Sequence, residues 1–238
     1  MDLAGKKAIV LGGSSGIGLA TVEALAARGT TVVAGGRSPE RIQSAAVELG
    51  DAARFETIDV LDRAGLAALF EREAPFDLLV NAATGGPRAA GPFLEMDLDG
   101  FQGSFAKLWG YTNSVRLGAQ HMSESGAIVL VSGYPARKCT PGAAAISTVG
   151  NAVEGFVRAI APEIAPRRIN VVSPGVIDTP MFTMDPELRE RFLDTATKSF
   201  AIPRPGRAEE VAAAIVFALE NDYMTGSTID VDGGALLP

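Results

Sequence analysis

The chain has 238 residues, of which 47% are hydrophobic, and its formal net charge at pH 7 is −7. This length and apolar content favour one folded domain with a full core and exclude a disordered chain. The negative charge argues against nucleic acid and anionic membranes as partners. No apolar run approaches the roughly 18 residues that cross a bilayer. A single cysteine, Cys139, cannot form an internal disulfide and fits a reducing compartment, so we expect a cytoplasmic protein.

Short apolar runs alternate with amphipathic stretches along the whole chain. The apolar runs predict strands at residues 7–11, 31–35, 54–59, 76–81, 126–132, 168–173 and 228–231. Helical spacing predicts helices at residues 16–28, 39–49, 63–73, 98–122, 142–165, 186–198 and 209–220. Repeated strand–helix units indicate one Rossmann-type α/β domain over residues 1–238, with a doubly wound parallel sheet of about seven strands.

A glycine-rich segment follows the first predicted strand and opens the first predicted helix. Residues 12–18 read Gly-Gly-Ser-Ser-Gly-Ile-Gly. Glycines permit a tight turn and a close approach of the backbone to a pyrophosphate, which the helix N-terminus attracts. In this context the segment predicts a dinucleotide site rather than a simple turn. We assign to cofactor binding Gly12, Ser14, Ser15, Ile17 and Gly18.

The end of the second predicted strand indicates which dinucleotide is bound. An NAD site places an acidic residue there for the ribose 2′-hydroxyl, but this chain has Arg37. A guanidinium can pair with a 2′-phosphate, so NADP(H) is favoured over NAD(H). The alternative is a solvated surface arginine. Asp59, before Val60, is placed to accept a hydrogen bond from the adenine amino group, and its alternative is a helix N-cap near Asp62.

Further motifs extend to the C-terminus. Residues 79–83 read Leu-Val-Asn-Ala-Ala, residues 170–180 contain Ser-Pro-Gly-Val-Ile-Asp-Thr-Pro, and residues 225–234 contain Thr-Gly-Ser and Val-Asp-Gly-Gly. With the glycine segment, they make nearly the full chain resemble the short-chain dehydrogenase/reductase family. The resemblance implies that the segment around Pro174 meets the nicotinamide. It adds to the predicted cofactor-binding set Val60, Asn81, Ala82, Ala83, Pro174, Gly175, Ile177 and Thr179.

The family's chemistry uses a tyrosine as acid and base, a lysine that lowers its pKa, a serine and often an asparagine. Residues 152–156, Ala-Val-Glu-Gly-Phe, resemble the sequence that follows the lysine. This register puts Gly150 at the lysine and Ile146 at the tyrosine. The serine falls at Gly133, or at Ser132 after a one-residue shift, and the asparagine falls at Lys107. The chain thus resembles an atypical member in which the usual tyrosine-driven reduction cannot run, and its catalytic residues are unknown.

Three side chains are candidate substitutes in catalysis. Lys107 could supply positive charge near the ribose or substrate oxygen, or its side chain could extend to solvent. Ser132 could bond a substrate oxygen or only the backbone. Tyr134 and Lys138 preserve a Tyr-x-x-x-Lys spacing that could serve in catalysis, and the alternative is that the spacing is coincidental, since Pro135 puts the pair in a predicted loop. No cluster has metal-ligand spacing, so no metal is expected.

The sequence therefore favours an NADP(H)-dependent oxidoreductase with non-standard proton delivery, acting on a small apolar or activated carbonyl or alkene. Alternatives are a non-redox isomerase or lyase on the same scaffold and a catalytically silent NADP-binding protein. The proline-rich segment at about residues 174–205 is predicted to be a mobile substrate lobe, or else an irregular surface segment. Its Met181, Phe182, Met184 and Phe192 suit an apolar ligand or a core. We expect a homodimer or homotetramer through the two long helices.

Overall fold

Seven parallel strands form the central sheet of the computed structural model, which describes residues 1–84, 86 and 88–238. In chain order the sheet strands are β1 (Lys7–Leu11), β2 (Thr31–Gly36), β3 (Ala53–Thr57), β4 (Phe76–Asn81), β5 (Met122–Val131), β6 (Arg168–Pro174) and β9 (Thr228–Val231). Their spatial order is β3-β2-β1-β4-β5-β6-β9. The short strands β7 (Ile177–Asp178) and β8 (Gly206–Arg207) pair separately. This confirms the predicted doubly wound α/β fold.

Helices cover both faces of the sheet. They are α1 (Gly16–Ala26), α2 (Pro39–Leu49), α3 (Arg63–Glu73), α4 (Leu98–Ser104), α5 (Ala106–Gly118), α6 (Ala144–Ile164), α7 (Pro186–Thr197) and α8 (Ala208–Glu220). Alternate residues of β1 point to opposite faces. Val10 packs in the core on the side of α1 and α8, whereas Ile9 packs in the core on the side of α3, α5 and α6. Short continuous apolar strands are what such a double-sided core requires.

The predicted helix at residues 98–122 is wrong in detail. It is two helices, α4 and α5, which meet at Phe105, and its last residues are a 3-10 turn followed by the start of β5. The Ser104 hydroxyl donates to the Gly100 carbonyl oxygen at 2.9 Å and accepts the Ala89 N–H at 2.8 Å. Such side-chain bonds to the preceding turn bend helices, and apolar spacing alone does not reveal them.

The predicted substrate lobe has regular structure at its centre, which includes the helix predicted at residues 186–198. It contains β7 and α7, and α7 is held to β7 by Arg189, which pairs with Asp178 and donates to the Thr179 carbonyl oxygen at 3.0 Å. Leu193 and Phe200 of this lobe are buried in a small core of their own. The lobe is therefore a packed extension of the domain beside the carboxyl ends of the strands.

Candidate active site

The first part of the site lies where the sheet order reverses, between the carboxyl ends of β1 and β4. Leu11 and Asn81 are paired in register there, so the segments that follow them leave the sheet side by side. Gly12 has a φ of +80°, and a Cβ on it would lie 2.7 Å from the backbone nitrogen of Ala83. A Cβ on Gly18 would overlap the carbonyl oxygen of Gly12. Glycine is therefore required at both positions, and the loop brings the N-terminus of α1 up to the crevice.

A cleft of about 230 Å³ opens at this crevice. The predicted cofactor residues that line it are Gly12, Ser14, Ser15, Ile17, Gly18, Arg37, Val60, Ala82, Ala83 and Thr179. The lining residues that the sequence analysis did not name for the cofactor include Ser38, Arg41, Ile58, Thr84, Pro180 and Met181. Arg41 could have been found, since it lies only four residues after Arg37, in the first turn of the predicted helix at residues 39–49.

Of the predicted cofactor residues, Asn81 and Asp59 line neither this cleft nor the second cavity described below, and both accept hydrogen bonds from nearby backbone. The fully buried Asn81 donates to the Ser114 hydroxyl at 2.8 Å and accepts the N–H of Ala83 at 3.0 Å, which fixes the turn after β4. Asp59 accepts the N–H of Leu61 at 2.9 Å. The N-cap of α3 is Asp62 rather than Asp59.

The rim of the cleft after β2 is positively charged. Arg37 and Arg41 both line it and both are exposed. Ser38 caps α2 by accepting the N–H of Arg41 at 3.3 Å, so the helix starts directly at the cleft. No carboxylate is among the described residues of the lining.

A second cavity, of about 290 Å³, adjoins the cleft and shares five of its lining residues: Ile17, Ala82, Thr84, Thr179 and Met181. The predicted nicotinamide segment, with Pro174, Gly175 and Ile177, forms part of its wall. The Oγ1 of Thr179 is buried and has no hydrogen-bond partner among the described residues. Leaving a buried hydroxyl without a hydrogen-bond partner costs about 1–3 kcal/mol of folding free energy. A carboxamide bound where the cleft meets the second cavity would provide that partner. The residues present therefore fit a nicotinamide dinucleotide.

Apolar side chains from the lobe close one side of this cavity. Met181, Phe182 and Phe192 line it, and the two phenyl rings lie 5.2 Å apart. Met184, which the sequence analysis grouped with them, is not part of the lining. The walls suit a substrate with a small hydrocarbon portion.

Lys107 lies in this cavity, with its ammonium turned inwards. Its Nζ donates to the Ser132 carbonyl oxygen at 3.1 Å and lies 5.6 Å from the ring centroid of Tyr111. Burial, and secondarily the charge of Arg88, lower the pKa of Lys107 to about 7. The alternative in which this side chain extends to solvent is therefore not what the structure shows.

Arg88 is the second cation of the cavity, and the sequence analysis missed it. Arg88 itself lies outside the helices and strands, between β4 and α4 in the chain. Burial lowers its pKa from the usual value. No sequence motif distinguishes Arg88 from a surface arginine, since its place in the cavity lining depends on the tertiary structure.

Known proteins resemble this chain over its whole length. The model of the family described as Enoyl-(Acyl carrier protein) reductase matches residues 12–235. The short-chain reductase protein NovJ of Streptomyces niveus is 34% identical and aligns with 95% of this chain and 92% of its own. The 3-oxoacyl-(acyl-carrier-protein) reductase FabG of Thermotoga maritima is 32% identical, with 100% of both chains covered. The chain belongs to the short-chain dehydrogenase/reductase family.

Solved structures agree with this assignment. A small-chain dehydrogenase in complex with NADPH superposes with a TM-score of 0.84 at 28% identity, covering 98% of this chain and 99% of the other. The protein is an NAD(P)-dependent oxidoreductase of the short-chain dehydrogenase/reductase type. Its nucleotide cleft lies at the crevice where open α/β sheets bind such ligands.

The positions that the family resemblance matches to catalytic residues all line the second cavity. They are Lys107, Ser132, Gly133, Ile146 and Gly150. Ser132 is buried, and its hydroxyl donates to the Gly150 carbonyl oxygen at 3.3 Å. The sequence register thus brings together residues from α5, the end of β5 and α6 at one surface.

Tyr134 also borders the cavity, but Lys138 does not. The Tyr134 ring packs edge-on against Phe200 at 5.8 Å, and burial raises the pKa of its phenol. The ammonium of Lys138 donates to the Ala235 carbonyl oxygen near the C-terminus. The Tyr-x-x-x-Lys spacing of this turn therefore does not form a catalytic pair.

Two features are absent from the part of the chain that the structure describes. No group of three or more histidine, cysteine, aspartate or glutamate side chains there could hold a metal ion. Within the same residues, every helix is too short or too polar to span a bilayer.

Proposed function

We propose that this protein is an NADPH-dependent reductase of a small, largely apolar carbonyl or alkene acceptor, with Lys107 as its proton donor. The observation that carries the proposal is the Lys107 ammonium, which faces the cavity next to the predicted nicotinamide segment. NADPH, when bound, supplies a hydride. Reduction of a carbonyl or an activated alkene also needs a proton, and an acid held in the cavity would provide it.

The preference for NADPH over NADH is supported by charge. Arg37 and Arg41 line the rim after β2, where a 2′-phosphate would lie, and the described lining offers no carboxylate to a ribose hydroxyl. Guanidinium groups bind phosphates through charge-assisted hydrogen bonds. The relative solved with NADPH adds support from the family.

The environment of Lys107 supports its role as an acid. An acid–base group works best when its pKa lies near the working pH, and the pKa of Lys107 is about 7. Among the described residues, Arg88 and Tyr134 line the same cavity and Tyr111 lies under the ammonium, and none of these is a carboxylate. The Tyr111 hydroxyl is occupied, since it donates to the Val131 carbonyl oxygen at 2.8 Å. Burial raises the pKa of both phenols, which therefore keep their protons at neutral pH.

The matched family positions support a different route for the proton from the usual one. Isoleucine at 146 and glycine at 150 have no ionisable group. Ser132 remains as a neutral hydroxyl that could orient the acceptor oxygen by exchanging its bond to Gly150. The chain would then use Ser132 to position the acceptor and Lys107 to protonate it.

The experiment is a spectrophotometric screen for NADPH oxidation at pH 7 against activated ketones, enones, imines and quinones. We expect Lys107→Met and Lys107→Arg to lose roughly 10²–10⁴-fold in rate, as for a removed general acid, with NADPH affinity unchanged by calorimetry. Lys198→Ala, which removes a charge outside both linings, is the matched control.

Lys107→Arg separates the two possible roles of the side chain. Arginine keeps the positive charge but does not release its proton near neutral pH. A wild-type rate in this variant would refute proton donation and leave only an electrostatic role. Tight NADPH binding without reduction of any acceptor would refute the reductase itself.

A further inference from the structure

The second cavity contains two cations and no anion. Arg88 and Lys107 line it, and aspartate and glutamate are absent from the described part of the lining. Among residues 1–84, 86 and 88–238, neither cation takes part in an ion pair with a carboxylate. The partners that Lys107 does have are a carbonyl oxygen and an aromatic face. The charge of Arg88, and that of Lys107 in its protonated form, therefore has no counter-charge among these residues.

This pattern differs from the rest of the molecule, where buried charge is paired. The buried Glu73 contacts Arg54, Arg72 and Lys7. The buried Glu154 contacts Arg137 and Arg158. Leaving like charges together away from water is unfavourable, and proteins seldom retain it without a counter-charge.

The local structure holds the two cations near each other. The N–H of Ala89, next to Arg88, donates to the Ser104 hydroxyl at 2.8 Å. Ser104 lies three residues before Lys107 and also lines the cavity. The charge of Arg88 is in turn one cause of the lowered pKa of Lys107. The bond of Ala89 to the end of α4 thus anchors the residue next to Arg88, and Arg88 and Lys107 line the same cavity.

We propose that Arg88 and Lys107 form a subsite for a carboxylate, so that the substrate is a small carboxylic acid with an apolar body. A guanidinium fork matches the two oxygens of a carboxylate. The remaining walls, including Ile146, Val149 and Phe182, suit a short hydrocarbon portion. A cavity of about 290 Å³ lies at the lower end of the size range of ligand pockets.

This inference rests on the proposed reductase and adds a link between binding and chemistry. A bound carboxylate would place negative charge beside Lys107, and an opposite charge favours the protonated form. Binding of the substrate would therefore raise the protonated fraction of Lys107, the group that then protonates the substrate. A neutral acceptor in the same cavity would leave Lys107 only partly protonated at pH 7.

The test compares hexanoate with hexanamide, which has nearly the same shape and no charge. Both are titrated calorimetrically at constant ionic strength into the protein saturated with NADP⁺. We expect hexanoate to bind at least tenfold more tightly than hexanamide, and we expect Arg88→Gln and Lys107→Met each to remove most of that preference. Lys198→Ala should keep it, and NADP⁺ affinity shows whether each variant is folded.

Equal binding of hexanoate and hexanamide to the wild type would overturn the subsite, as would a preference that survives either cavity variant. Arg88→Lys keeps the positive charge but loses the planar guanidinium, so we expect this variant to keep part of the preference for hexanoate. Turnover is not part of this readout. If hexanoate is preferred but no acceptor oxidises NADPH, the proposed reductase is refuted and the subsite stands. If neutral acceptors are reduced but hexanoate is not preferred, the subsite is refuted and the reductase stands.

Discussion

Gly150 lies against Ala136, and a Cβ added to Gly150 would lie 2.8 Å from the Cβ of Ala136. Helix α6 therefore packs on the turn after β5 through a position that has no side chain. Asn151, the next residue, reinforces the contact by donating to the Ala136 carbonyl oxygen. The turn occupies the volume into which any larger side chain at position 150 would extend.

We expect Gly150→Ala to lower the free energy of unfolding by about 1 kcal/mol. Overpacking lowers the free energy of unfolding by about 1–3 kcal/mol, and the higher helix propensity of alanine offsets up to about 1 kcal/mol of this loss. Gly155→Ala, on the same helix with nothing within 4 Å of its added Cβ, should instead stabilise by roughly 0.5–1 kcal/mol. Urea unfolding of both variants decides this, and equal effects would contradict the close contact.

The glycine loop gives a second matched pair. A Cβ on Gly18 would overlap the Gly12 carbonyl oxygen, whereas one on Gly103 in α4 meets nothing within 4 Å. We expect Gly18→Ala to weaken NADPH binding by roughly a hundredfold, or about 2.7 kcal/mol, because the turn must open. Gly103→Ala should bind as the wild type does. Calorimetric titration with NADPH measures both, and an unchanged Gly18→Ala would argue against nucleotide binding at this loop.

Arg37 should discriminate between the two dinucleotides. Arg37→Ala is expected to weaken NADPH binding by about tenfold, which corresponds to 1.4 kcal/mol, through loss of a charge-assisted contact with the 2′-phosphate. NADH, which lacks that phosphate, should bind the variant and the wild type alike. Parallel titrations with both nucleotides measure this. Equal loss for NADH would assign Arg37 a structural role.

The lowered pKa of Lys107 predicts how stability depends on pH. Its ordinary value is 10.5, and in the folded protein it is about 7. Between these values the unfolded chain holds a proton that the folded protein has lost, so the free energy of unfolding rises with pH across this window. Lys107→Met lacks the group. The free energy of unfolding of this variant should therefore drop increasingly below that of the wild type as the pH rises from 6.5 to 9, as measured by urea unfolding. A constant difference between the two proteins over this range would refute the lowered pKa.

The rate of reduction should depend on pH in the opposite direction. A proton donor must be protonated, and the protonated fraction of Lys107 declines above about pH 7. Single-turnover oxidation of bound NADPH by a neutral acceptor should accordingly slow as the pH rises through this value. The residual rate of Lys107→Arg should be flat over the same range. A wild-type profile without a break near 7 would exclude Lys107 as the acid.

Much of the fold could be predicted because its signals are local. The strands β1 and β4 were predicted from the apolar runs at Lys7–Leu11 and Phe76–Asn81. The crevice was predicted from the glycines between β1 and α1. The family register also brought Ser132, Ile146 and Gly150 to one cavity.

The features that could not be predicted depend on contacts between distant parts of the chain. The break at Phe105 follows from the Ser104 hydroxyl, which bonds back to Gly100 and also to Ala89, and no apolar spacing reveals it. The place of Arg88 in the cavity lining is likewise not visible in any spacing. The reason for glycine at position 150 is the turn at Ala136, which only the packed structure brings against α6.

The two unpaired cations also offer a way to search for the physiological ligand without knowing the reaction. Below about pH 7, where Lys107 is protonated, an empty cavity with Arg88 and Lys107 together weakens the folded state, because their mutual repulsion has no counter-charge. Any anion that binds there relieves this repulsion and, at a fixed concentration, raises the melting temperature more the lower its dissociation constant is. A library of small organic acids could therefore be ranked by thermal shift, with Arg88→Gln as the insensitive reference, before a single turnover is observed.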